Sequence, residues 1–204
     1  MNKISKKIKL FIYATVMIMI TACALDKPNN DNNNDKSTYF SISPIGLDHI
    51  QGLVPLGNLN PNGGHVFPTK HMYFYIVPDN EAVPFVTIVA PGDMTLVSVD
   101  KKTYLGTDPL EIDYTLNFSL SENVTAYFMH VKGLTEELVE EIGSFENANC
   151  NTYSTGGYTI EQCTKEVDID LSAEEEIGVV GGGEAPSSFD FGMVDKRTDA
   201  LGFA

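Results

Sequence analysis

Short apolar runs separated by turn residues set the texture of the chain from about residue 39 onward. MYFYIV (72–77), PFVTIVA (84–90), TLVSVD (95–100), EIDYTLNFSL (111–120) and VTAYFMHV (124–131) are rich in β-branched and aromatic residues, the composition of strands. Pro78-Asp79-Asn80, Pro91-Gly92-Asp93 and Ser121-Glu122-Asn123 punctuate them as turns. EIDYTLNFSL alternates, with Ile112, Tyr114, Leu116, Phe118 and Leu120 on one side and polar residues opposite, which predicts a strand with one wet face. EIGVVGGG (176–183) reads as a strand broken by three glycines, and SFDFGMVD (188–195) as the last strand. One helix stands out. Thr135 can cap it, Glu136 and Glu137 sit at its positive end, and Gly143 can end it. Leu134, Leu138, Val139 and Ile142 would make the stripe that lies on the sheet. No internal repeat is visible, and the class is mainly β with one short helix.

The first residues follow a different pattern. Lys3, Lys6, Lys7 and Lys9 precede an uncharged apolar run from Leu10 to Ile20, the charged and hydrophobic regions of a secretory signal. Ile20-Thr21-Ala22-Cys23 resembles the lipobox of bacterial lipoproteins, in which the cysteine receives the lipid; an ordinary secretory signal that contains a cysteine is the alternative. ALDKPNNDNNNDKST (24–38) has no apolar residue after Leu25 and reads as a flexible stalk. The expected organisation is a lipoprotein signal peptide (1–22), a lipid-anchored linker (23–38) and one β domain (39–204), long enough for a sizeable core.

That placement changes the reading of the cysteines and the charge. With Cys23 as the anchor, Cys150 and Cys163 are left in an exported domain, where a disulfide is expected; two free thiols are the alternative. They enclose NTYSTGGYTIEQ, a polar loop with a Gly156-Gly157 turn. A disulfide across a loop of this length stabilises by about 3 kcal/mol in the chain-entropy model. Zinc ligation by the pair lacks the C-x-x-C spacing of such sites. The net charge of −15 becomes about −19 once the four leader lysines are removed. So acidic a surface argues against nucleic acid and against polybasic docking to lipid, leaving the acyl chains as the membrane attachment. The acids cluster in EELVEE, EVDID and AEEE, which read as solvated faces.

The candidate chemistry lies in GGHVFPTKHMYFYI (63–76), which holds His65 and His71. Two imidazoles this close invite a metal reading, but Pro68 between them and the absence of H-E-x-x-H exclude a helical zincin. His49 has no partner in view and reads as structural. Gly181-Gly182-Gly183 lacks the lysine of a phosphate loop, and no G-x-S-x-G nucleophile elbow occurs.

Several segments come in the order found in lysostaphin-type zinc endopeptidases. IVAPGDMTLVSV resembles the family's hairpin after the first metal-binding strand, with Met94 where a glycine is expected after Asp93. AYFMHVKGL resembles the tyrosine-x-histidine-leucine segment whose histidine helps polarise the attacking water, and EEIGVVGGG the glycine-spaced stretch before the final strand. PLGNLNPNGGHVFPTKHMYF is similar to a divergent, lipid-anchored branch, in which an aspartate is expected at the position of Lys70 and more chain after Ala204. The resemblance covers roughly residues 53–195. It implies an antiparallel, barrel-like β-sandwich of the duplicated hybrid-motif kind, with one short α-helix.

For chemistry, the resemblance implies a dismantled zinc site. His71 fits the first ligand of H-x-x-x-D, but Tyr75 stands at the aspartate position. The later H-x-H aligns with Ser188-Phe189-Asp190, and His130 matches the other catalytic histidine. One of three ligands survives, and a catalytic zinc commonly needs three plus an open water position. The leading expectation is a non-enzymatic envelope protein with no cofactor. Its groove, lined by His71, Tyr73, Tyr75, His130 and Asp190, would bind peptidoglycan, a peptide or a partner protein. The alternative is a working zinc peptidase of peptidoglycan with altered ligands, in which His65, His71 and Asp190 hold the metal and His130 is catalytic. The expected location is the bacterial cell envelope, outside the cytoplasm.

Overall fold

The computed structural model describes residues 38–58, 69–183 and 187–198. The leader, Cys23, the linker up to residue 37 and His65 lie outside the described residues. Among the described residues no helix is long and apolar enough to cross a membrane.

The apolar runs form strands where the alternation places them: β2 (Met72–Ile76), β3 (Phe85–Val89), β4 (Met94–Leu105), β5 (Glu111–Ser119), β6 (Val124–Leu134), β9 (Glu176–Gly181) and β10 (Ser188–Asp195). β4 and β6 run further than their apolar cores. Three strands had no counterpart in the apolar pattern: β1 (Ile50–Val54), β7 (Asn149–Thr155) and β8 (Tyr158–Leu171). The segment between the cysteines is therefore not a loop but the β7–β8 hairpin. Gly156 and Gly157 both take positive φ (58° and 85°), as a two-residue primed turn requires. Cys150 and Cys163 are directly opposed in register and joined by a disulfide, with Cα atoms 4.0 Å apart. The acids of EVDID lie on the wet side of β8, with Glu166, Asp168 and Asp170 all exposed.

All pairings are antiparallel, in the order β1-β2-β10-β6-β5-β4-β8-β7, with β9 joining β3 to β6. The sheet stays open, with β1 and β7 at its two ends, so the expected barrel-like closure is not formed. β6 is the hub. One of its edges pairs with β5, while the other is shared: β10 pairs with Val124–Met129, and β9 takes over from Val131.

One face of the sheet is the core. Phe74, Phe189, Phe128 and Phe118 lie across β2, β10, β6 and β5, each ring within 4.9–5.9 Å of the next. Phe191 packs on Phe128 at 5.5 Å and Phe40 on Phe191 at 5.2 Å. The helix α1 (Glu136–Ile142) forms as its caps predict: Thr135 Oγ1 accepts from Leu138 N at 3.3 Å, and Gly143 ends it with φ 66°. Leu138 and Ile142 are buried, but Val139 is 50% exposed. Leu138 and Ile142, four apart, form the buried stripe of α1, whereas Val139 is turned about 100° away from Leu138 and Leu134 belongs to β6.

Phe128 is fully buried and touches three other phenylalanine rings, so no neighbour can fill its place. Phe128→Ala is expected to lower the unfolding free energy by about 3–5 kcal/mol in urea titrations followed by circular dichroism.

Candidate functional site

The opposite face of the sheet carries the polar chemistry. On β2 the alternation sends Phe74 and Ile76 to the core and puts Tyr73 and Tyr75 on the polar face, just after His71. On β10 the same rule buries Phe189 and Phe191 and leaves Ser188, Asp190 and Gly192 opposite. Asp190 is level with Tyr73 on one side and Met129 on the other.

β6 obeys alternation only in part. Val124, Ala126 and Phe128 are core residues, so strict period two would send His130 into the core as well. A bulge prevents this: Met129 and His130 together stand opposite Thr115, between the pairs Leu116–Phe128 and Tyr114–Val131. His130 takes φ +62°, the left-handed region, and Val131 enters the core in its place. The bulge lies where the second edge of β6 passes from β10 to β9. It re-aims His130 onto the polar face beside Lys132.

There acidic and basic side chains alternate in a chain. His71 Nε2 lies 3.3 Å from Asp190 Oδ2, and His130 Nε2 lies 3.4 Å from the same oxygen. Ser188 Oγ donates to the other oxygen, Asp190 Oδ1, at 2.8 Å. His130 Nδ1 is 3.0 Å from Asp113 Oδ2, and Lys132 Nζ donates to that oxygen and to Glu111 Oε1, both at 3.1 Å. Asp113 was expected on a wet face. It is 1% exposed, because His130 and Lys132 from the next strand cover it, and Thr115 is buried beside it. Asp113 Oδ1 is buried with no hydrogen-bond partner among the described residues.

Hydrogen bonds to Asp113 and Asp190 outweigh the burial that opposes the charge on His130 and raise its pKa to about 9. It is thus an imidazolium at neutral pH, with both ring N–H groups aimed at carboxylates. Burial pushes the Asp113 carboxyl up, but His130 and Lys132 together hold it below its usual value. The phenols of Tyr73 and Tyr127 are pushed up by burial and by the Asp190 charge.

Tyrosines wall the site. The His71 ring is 4.6 Å from that of Tyr73 and 6.1 Å from that of Tyr127. Tyr127 reaches across the sheet and donates its hydroxyl to Lys70 O at 3.2 Å. It can lie flat because Gly192 is level with it on β10, and a Cβ there would overlap the ring. Tyr75 is half-buried and level with Ser188.

Of the residues the sequence singled out, His71, Tyr73, His130 and Asp190 come together, and Tyr75 flanks them on the same face. Asp113, Lys132, Glu111, Tyr127 and Gly192 were not singled out. The lysine two places after His130 and the two acids of EID were the available signals. Among the described residues no three His, Cys, Asp or Glu side chains are arranged to hold a metal ion. Both imidazoles converge on one oxygen of the Asp190 carboxylate, and Ser188 donates to the other. No family model, curated protein or solved structure matches the chain.

The ion pair ties stability to pH. The folded pKa of His130, about 9, lies above its ordinary 6.5, so its contribution is complete below about pH 6.5 and is lost as pH rises through about 9. Asp113 is shifted the other way, and its contribution is lost at the acid end. The His130 side chain is 40% exposed, which reduces the effect to about 1–2 kcal/mol. Urea midpoints are expected to fall between pH 6.5 and 9, and His130→Asn, which tolerates the left-handed backbone, should flatten that slope. Gly192→Ala should cost about 1–3 kcal/mol by forcing the Tyr127 ring aside. The same variant should return the Tyr127 phenol toward the ordinary tyrosine range, read by ultraviolet difference titration against Tyr127→Phe.

Proposed function

We propose that the chain is a lipid-anchored protein of the bacterial cell envelope, held through Cys23. On this reading its β domain is a non-catalytic relative of the lysostaphin-type endopeptidases and binds cell-wall peptidoglycan on the polar sheet face. One observation carries the non-catalytic part: the Asp190 carboxylate stands where two imidazoles meet, and a serine holds its other oxygen. The groups that would have to converge on a metal-bound water are spent on one another. What remains is a preorganised surface of fixed donors, acceptors and tyrosine rings, the makeup of a recognition site. The lipid anchor and stalk rest on the lysine-rich leader, the lipobox-like Ile20-Thr21-Ala22-Cys23 and the Asn/Asp-rich segment after it.

The test is co-sedimentation of the full chain with isolated wall sacculi, run with and without added zinc. The chain is expected to pellet with the sacculi in both conditions and to release no peptide fragments. Tyr127→Ala should weaken the association by about two- to tenfold. Fragment release that depends on zinc and disappears in His71→Ala would replace the binder by a hydrolase. A chain that stays in the supernatant would overturn the wall assignment.

A further inference from the structure

The polar face does not end at the histidines. Tyr73 of β2 is level with Asp190 of β10, and His130 and Lys132 of β6 reach Asp113 of β5. Asp113 is level with Lys102 of β4, Lys102 with Gln162 of β8, and Gln162 with Asn151 of β7. Directly opposed residues of paired strands share a face, so this is one continuous polar row perpendicular to the strands. At its far end stands a second set of tyrosines. Tyr104 is level with Glu111 on β5 and Ile160 on β8, and Ile160 with Tyr153 on β7. The Tyr104 and Tyr158 rings meet edge-to-face at 5.5 Å, Tyr153 donates its hydroxyl to Gln162 Oε1 at 3.3 Å, and Tyr158 is 50% exposed. Six strand spacings separate β2 from β7, about 29 Å along the sheet.

Resting on the wall-binding reading above, we infer that this row is one extended groove for a linear, uncharged glycan chain, with Tyr104, Tyr153 and Tyr158 as a second subsite.

Three features select that occupant. Most charges along the row are matched within it, Asp190 and Asp113 with His130, and Asp113 and Glu111 with Lys132, while Lys102 donates to the Thr115 hydroxyl; at all but Lys102 an ionic ligand would have to break pairs that are already made. The chain as a whole carries −15, which repels an acidic polymer. A peptide commonly adds itself to a sheet edge through its backbone, but every strand of the row except β7 is paired on both sides and offers only side chains. Sugar rings present apolar faces bordered by hydroxyls. Tyrosine faces at both ends, with amide, ammonium and carboxylate groups between them, complement that alternation.

The experiment is calorimetric titration of the full chain with β-1,4-linked N-acetylglucosamine oligomers, from the dimer to the hexamer, with a wall stem peptide as the comparison. Affinity is expected to rise about tenfold or more from dimer to hexamer. Tyr158→Ala and Tyr104→Ala should each remove most of that gain, about five- to tenfold for the hexamer, and leave the dimer unchanged. Tyr158→Phe, which keeps the ring, should retain the gain, and an unchanged melting temperature shows that each variant is folded. Affinity independent of length, or an equal loss for both oligomers in Tyr158→Ala, overturns the second subsite. Binding of the stem peptide but no oligomer overturns the glycan assignment while sedimentation with sacculi still upholds wall binding. Failure of oligomers, peptide and sacculi alike overturns both.

Discussion

Asp113 lies inside the polar face as an ionised carboxylate at 1% exposure, and the face depends on keeping it charged there. A buried charge left unpaired costs several kcal/mol, so its partners have to be held in place by the fold. His130 and Lys132 do this from the neighbouring strand, with contacts of 3.0 and 3.1 Å to a single oxygen. Once His130 is fixed by Asp113, its other nitrogen faces Asp190, and Asp190 in turn engages His71 and Ser188. The orientation of four strands' worth of polar side chains is set from that one pair.

The backbone pays for this arrangement at His130. A non-glycine residue in the left-handed region costs about 1–2 kcal/mol, and nothing in the core would compensate it. A charge-assisted hydrogen bond contributes about 1.5–3 kcal/mol, enough to offset the strain only if the imidazolium reaches Asp113. The bulge, the sheet's change of partner along β6 and the ion pair are therefore mutually dependent. Without the bulge His130 would meet the phenylalanine layer, and without Asp113 the bulge would have no compensation.

Strands whose hydrophobic pattern is local were legible in the sequence. MYFYI, FVTIV and SFDFGMVD alternate against a single buried layer, and the Thr135 and Gly143 caps bracket α1. The β7–β8 hairpin escaped because its apolar content is low, although YST-GG-YTI carries the two-glycine signal of a primed turn. The burial of Asp113 was not legible, since alternation assigns its face but not what a neighbouring strand lays over it. The aim of His130 was less legible still: alternation from Val124 places it with Phe128, and no glycine marks the bulge. Whether the sheet closes depends on pairings between strands distant in sequence, which no local pattern encodes. His71, His130 and Asp190 were named together because the resemblance assigned each to one site, and Tyr73 as a neighbour of His71 along the strand, while Tyr127 and Gly192 matter only through their mutual register.

The position of β10 bears on how the molecule is made. It is the last strand in the described chain, yet it lies between β2 and β6, not at a margin. Synthesis delivers β2 and β6 first, and the edge of each that β10 will occupy then presents a row of unsatisfied backbone groups. Every strand from β3 to β9 can find its place beforehand, and the β7–β8 hairpin can even be locked by its own disulfide. The gap closes only when residues 188–195 arrive, and the aspartate that unites both histidines arrives with them. Until that moment the chain has a nearly complete sheet, two vacant edges and no carboxylate to join its two histidines, so interruption late in production yields an adhesive species.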